Sequence, residues 1–175
     1  MQRGADMKEL WDAYTREGVK TGEILVRDEP IPAGRYHLVC EVLVRHADGD
    51  YLCMIRSRKK PNFLLYPECT AGGSALMGDD SLSCVRRELR EETGIEWDEF
   101  ELVSRSVRED YATIFDSYFC TVDWPKDQIQ MQEGETEGYE WLSEEAFIEL
   151  LNSDRMIPGQ PQRMESWFRK KGYLR

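Results

Sequence analysis

The order of apolar and polar segments in this chain predicts an α/β fold, with a mixed sheet covered by helices on both faces. Three observations carry that expectation. Short runs rich in β-branched and aromatic residues, bounded by Gly, Pro, Asn or Asp, recur along the sequence. A helical pattern from Asp80 to Thr93 interrupts them, and two more helical stretches fill the C-terminal part. With 175 residues, 41% of them apolar, the chain is long enough for one substantial core and is read as a single domain, 1–175.

Glu9 to Thr15 and Glu23 to Arg27 flank the turn-like segment from Arg16 to Gly22, which predicts an N-terminal hairpin within an extension of about residues 1–35. Asp28 to Arg35, with Pro30, Pro32 and Gly34, reads as a loop. His37 to Arg45 is an apolar strand, Asp48-Gly49 turns the chain, and Tyr51 to Arg56 returns it. Ser57 to Pro67 is a second loop, and Glu68 to Ala71 a short extended piece. A helix follows, capped by Asp80 or Ser81 and closed by Gly94, with Leu82, Val85 and Leu89 as its apolar stripe. Leu102 to Val107, Tyr111 to Val122 and Gly138 to Leu142 complete the strands. Ser143 starts a helix through Leu151, and Gln160 to Lys171 reads as one C-terminal helix ended by Gly172.

No apolar run is long enough to span a bilayer, and Met1 to Leu10 has no apolar secretory core, so a cytoplasmic location is expected. Cys40, Cys53, Cys69, Cys84 and Cys120 are single and unpaired in spacing, as reduced core residues would be. A net charge of -11 argues against broad contact with duplex nucleic acid and leaves a small molecule as the expected ligand.

The chemistry concentrates at the helix from 80 to 93. Glu88, Glu91 and Glu92 occupy its last turn, where neighbours three and four apart repel and the helix dipole is already negative. A divalent cation would remove both penalties. Oxygen ligands without His or Cys suit magnesium or manganese rather than zinc. Arg87, four residues before Glu91, is placed to orient a carboxylate, and Gly73 lets the backbone come close enough to offer a carbonyl.

Gly73, five residues, Asp79, seven residues, then Arg87-Glu88-Leu89-Arg90-Glu91-Glu92-Thr93-Gly94-Ile95 resembles the Nudix box. One fixed position departs from the family pattern: Asp79 stands where the family has Glu. The resemblance, over residues 73–95, implies an α/β/α sandwich and a Mg2+- or Mn2+-dependent pyrophosphohydrolase acting on a nucleoside diphosphate linked to another moiety. It implies Glu92 as the first metal ligand, with Glu91 and Glu88 completing the shell, Glu88 as general base, and Asp79 in an outer role. Family members also place a base or ligand in the loop before the last strand, which here nominates Glu135 and Glu137. The resemblance leaves a homodimer open.

Arg56 and Arg58, with Lys59 and Lys60, follow a strand and are candidates for substrate phosphate contact, Arg56 foremost. Phe63, Tyr66 and Phe115 are candidates to stack on a base. Tyr36-His37-Leu38-Val39 and Arg56-Ser57-Arg58-Lys59-Lys60-Pro61 further resemble the branch holding type 1 isopentenyl diphosphate isomerase and its hydrolase relatives. The isomerases carry a Cys just before the box glycine. This chain has Gly72 there and Cys69 three residues earlier, which favours hydrolysis. A catalytically silent nucleotide sensor is the third reading.

Overall fold

The computed structural model describes residues 8–174. The expected absence of a secretory segment rests largely on residues 1–7, which lie outside the described residues. Strands β1 (Leu10–Tyr14) and β2 (Lys20–Val26) form the expected antiparallel hairpin. The rest of the chain runs β3 (His37–His46), β4 (Tyr51–Arg56), β5 (Pro67–Glu68), β6 (Thr70–Ser74), α1 (Ser81–Thr93), β7 (Glu101–Arg108), β8 (Thr113–Val122), β9 (Thr136–Leu142), α2 (Glu144–Leu151), α3 (Gln160–Arg163) and α4 (Glu165–Lys171).

These strands make one seven-stranded mixed sheet, with the path β5-β4-β3-β8-β7. β3 and β8 run parallel over ten residues, and the other pairs are antiparallel. β3 and β4 are paired only at Arg45 and Tyr51, where the turn joins them. Beyond that point β6 takes the free side of β3, and β9 pairs with β4. The sheet therefore splits into two branches.

Alternation along β3 sorts the core. Leu38, Cys40, Val42 and Val44 pack with Val85 and Leu89 of α1 on one face. On the other face Leu43, with Tyr51 and Cys53, meets Phe147, Trp167 and Phe168 of α2 and α4. The result is the α/β/α sandwich. A third cluster, Trp11, Ala13 and Leu25, packs with Ile31 and with Leu76 of the loop before α1.

Three local expectations change. The buried row of α1 is Cys84, Val85, Glu88 and Leu89, while Leu82 is 46% exposed. Ser81 takes the inward position at the helix start, its hydroxyl within 2.6 Å of both Asp116 Oδ2 and the Tyr118 hydroxyl, which turns Leu82 about 100° away. The C-terminal helix is two helices, broken at Met164 (φ -116, ψ 17). The break lets Gln160 and Arg163 reach the buried Thr70 and Glu41, while Trp167 and Phe168 enter the apolar cluster. Before β8, Glu109–Tyr111 is a 3-10 turn closed by left-handed Ala112, so the strand starts at Thr113.

α1 keeps its predicted ends. Asp80 accepts from Ser83 N at 2.7 Å while its own N–H donates to Ser83 Oγ at 2.8 Å, and left-handed Gly94 donates to Arg90 O at 2.9 Å.

Two outcomes follow from these contacts. A Cβ on Gly72 would sit 2.3 Å from Cys40 O, whereas one on Gly138 would meet nothing closer than 3.8 Å. Gly72→Ala should cost about 1–3 kcal/mol in urea unfolding, and Gly138→Ala less than about 0.5. His37 stacks on Trp11 at 4.6 Å, and burial holds its pKa below the usual 6.5. The unfolded chain thus takes up this proton first, so His37 removes stability as pH falls below about 6.5. Melting temperatures between pH 7 and 5 should decline less steeply in His37→Phe than in the parent.

Candidate active site

The site is assembled where β6 lies between β3 and α1. Gly72 permits the approach to β3, since an added Cβ would lie 2.7 Å from Glu41 Cα as well as against Cys40 O. Gly73 faces the helix, where a Cβ would come within 2.7 Å of all three carboxyl atoms of Glu88. The glycine pair therefore lets one strand touch a sheet neighbour and a carboxylate at once. The Gly73 carbonyl accepts a weak bond from Cys84 Sγ at 3.6 Å.

Arg87 organises the acids. Its Nη1 donates to Glu88 Oε1 at 2.6 Å and to Glu91 Oε2 at 3.2 Å, and its Nη2 donates to Asp79 Oδ2 at 3.0 Å and to the Ser74 carbonyl at 3.0 Å. Nε adds a longer bond to Asp79 Oδ2 at 3.3 Å. One guanidinium so joins the loop after β6 to three carboxylates of the predicted site. Asp79 also accepts from Leu76 N at 3.0 Å, which closes that loop. Its carboxylate faces Arg87 and the loop backbone and does not line the cleft described below.

Glu88 is only 9% exposed, and burial raises its pKa against the pull of Arg87. Glu92 accepts from Gly72 N at 3.0 Å. Burial, followed by the charge of Glu68, pushes its pKa up to about 8. Crowded, desolvated carboxylates with oxygen as the sole donor fit a hard divalent cation in chemistry. In geometry, no three acidic, His or Cys side chains among the described residues stand together as a metal cage. Glu91 is turned to Arg87 and Glu92 to Gly72, so enclosing one ion requires these side chains to swing toward each other.

Gly73, Arg87, Glu88, Glu91 and Glu92 all line one cleft of about 350 Å3. Glu135, from the loop before β9, lines it too and is ion-paired with Lys60. Glu137 does not: it accepts from Arg58 N at 2.7 Å and pairs with the Arg58 guanidinium at 3.2 Å. Arg56 is also outside, held by Glu68 Oε2 at 2.8 Å. Phe63 and Tyr66 meet edge to face on the loop after β4, and Phe115 carries Arg163 over its ring at 4.5 Å. None of the three lines the cleft. Cys69 is buried on the α2 and α4 face, with its Sγ 2.7 Å from Cys53 Sγ, far from any role beside Gly73.

The cleft also holds Glu9, Arg27 and Gln132, which sequence reasoning missed. Glu9 and Arg27 come from the N-terminal hairpin, more than 40 residues before the box, and no motif marks them. A larger surface groove, about 620 Å3, holds Arg86, Arg90 and Trp97 on the outer side of α1 but none of the three glutamates.

Comparison with known proteins places the chain in a family. A family model described as NUDIX domain matches residues 35–164. The chain is 29% identical over 151 residues to an uncharacterized Nudix hydrolase of Listeria monocytogenes, covering 86% of this chain and 89% of that protein. Its fold is similar to a Deinococcus radiodurans crystal structure, with a TM-score of 0.70 and 21% identity over 92% of this chain and 98% of the other. It is also similar to the Nudix domain of Shewanella oneidensis NrtR, solved with ADP ribose, with a TM-score of 0.59 and 15% identity over 83% and 94% of the two chains. Among the described residues no helix is long and apolar enough to cross a membrane. With the family match spanning most of its length, the chain belongs to the Nudix hydrolase family.

Proposed function

We propose that this protein is a single-domain, divalent-cation-dependent pyrophosphohydrolase that splits the diphosphate linkage of a nucleoside diphosphate joined to another moiety. The observation that carries the reading is the convergence of Glu88, Glu91, Glu92, Gly73 and Arg87 on one cleft. Magnesium or manganese held by Glu92, Glu91 and Glu88 would supply charge neutralisation at the phosphates and a more acidic water.

The chain's own groups do the remaining work. Glu88 Oε1 is taken by Arg87, which leaves Oε2 to accept a proton from the attacking water. The water oxygen bonds to phosphorus, the bridging P–O bond breaks, and the departing phosphate oxygen takes the electron pair. Arg87 keeps Glu88 and Glu91 in register through the change in charge. Glu135 is the auxiliary acid of this scheme, because it lies on the cleft wall facing Lys60. Arg56, Arg58, Glu137 and Asp79 act in support, since each is committed to a protein partner.

Cys69 carries no weight for an isomerase, because its thiol is 3% exposed on the far face of the sheet. The ADP-ribose complex of the Shewanella domain supports nucleoside diphosphate derivatives as the first compounds to assay. Action on a small molecule rather than on duplex nucleic acid accords with the net charge of -11, and the reading is of a cytoplasmic enzyme.

Formation of two phosphomonoester products from a panel of such compounds, with and without magnesium, tests the reading. Turnover should require the cation, and Glu92→Gln and Glu88→Gln should each lower kcat by about 100-fold or more while the melting temperature holds. Equal turnover in the variants, or turnover unaffected by chelation, would remove the assignment. Asp79→Ala should lower kcat less than Glu88→Gln and also lower the melting temperature, because it frees Leu76 N and part of Arg87.

A further inference from the structure

The hairpin of β1 and β2 lies outside the segment matched by the family model, yet it reaches the catalytic cleft. It is fastened to the loop before α1 at three points: Met77 N donates to Leu10 O at 2.8 Å, Gly78 N to Asp12 Oδ2 at 2.9 Å, and Lys20 Nζ to Asp79 O at 2.8 Å. Leu76 of the same loop packs into the hairpin's apolar cluster. The hairpin is thus a wall of the site with a fixed position.

That wall carries Arg27. Its Nη1 donates to Glu9 Oε2 at 3.0 Å, and Glu9 is itself held by Trp11 Nε1 at 2.6 Å. Nε and Nη2 of Arg27 have no partner among the described residues. Lys60 arrives from the loop after β4, and its ammonium pairs with Glu135. Burial, then the charge of Arg56, holds Lys60 below the ordinary lysine pKa against the pull of Glu68 and Glu92, and Lys60 and Arg27 line the same cleft from distant segments. Arg87, the third cation of the cleft, is already committed to Asp79, Glu88, Glu91 and Ser74.

Resting on the hydrolase reading above, we propose that Arg27 and Lys60 form a clamp for the substrate phosphate that lies away from the glutamate cluster. A diphosphate carries charge on both phosphates; Arg87 is committed to the cluster of Glu88 and Glu91, whereas Arg27 keeps Nε and Nη2 without a partner among the described residues and Lys60 is paired with Glu135 of the cleft wall. Among the described residues no aromatic ring lines the cleft, so binding there acts through phosphate charge and not through stacking on a base. The hairpin is then a substrate-recognition element outside the segment that the family model matches.

The test uses the full chain, Arg27→Ala, Arg27→Lys, Lys60→Ala and the double alanine variant. Two readouts apply: KM and kcat on the best substrate of the panel, and calorimetric affinity for methylenediphosphonate with magnesium. Arg27→Ala should raise KM and weaken the diphosphonate about tenfold, with kcat changed less than about threefold, and Arg27→Lys should recover part of the loss. The double variant should lose less than the product of the single losses, because both side chains grip one phosphate. Unchanged KM and diphosphonate affinity in Arg27→Ala, or a loss confined to kcat, would overturn the clamp while leaving the hydrolase intact. Arg27-dependent diphosphonate binding in a chain that turns over nothing on the panel would keep the clamp and discard the hydrolase. Arg27 is more than half exposed, and unchanged melting temperatures would separate the effect from unfolding.

Discussion

The constraint on which the rest depends is electrostatic: three glutamates share the last turn of a helix whose dipole already disfavours them there. Arg87 makes that turn tenable. It binds Glu88 and Glu91, and it also binds Asp79 and the Ser74 carbonyl, so the helix end is tied to the loop that precedes the helix. A lysine at this position could not supply the same planar fan of donors. The residual strain shows at Glu92, where burial and the charge of Glu68 favour the protonated acid up to a pKa of about 8. A site with this imbalance is poised to take up positive charge.

Sterics set the second condition. Gly72 lies against the β3 backbone and Gly73 against the Glu88 carboxylate, so a side chain at either position would push the strand from the sheet or the acid from its place. The split between β3 and β4 opens the sheet next to this strand. Loops of the β4 and β9 branch then border the cleft, bringing Lys60 and Glu135 toward the helix. The hairpin closes the remaining side through its anchor on the loop from Leu76 to Asp79.

The strands and the helix ends were legible in the sequence because each rests on neighbours within a few residues. The apolar run of β3, the Asp80 cap and left-handed Gly94 are local signals, and the structure keeps them. Leu82 and Met164 show where locality stops. Leu82 has the right spacing for the core, but Ser81 takes the inward position to meet Asp116 from another strand. Met164 sits inside a continuous helical pattern, yet the chain bends there so that Arg163 can reach Glu41, 122 residues earlier.

From its sequence alone this protein is determined to be a mixed α/β chain with a Nudix box that crowds Glu88, Glu91 and Glu92 behind Arg87, because that geometry follows from helical spacing. Tertiary structure decided what faces them. Arg56, Arg58 and Glu137 turn to other partners, while Lys60, Arg27 and Glu9 enter the cleft. The physical reason is that a helix face is set by its own backbone, whereas the opposite wall of a cleft is set by how separate segments pack, and no spacing within either segment encodes that.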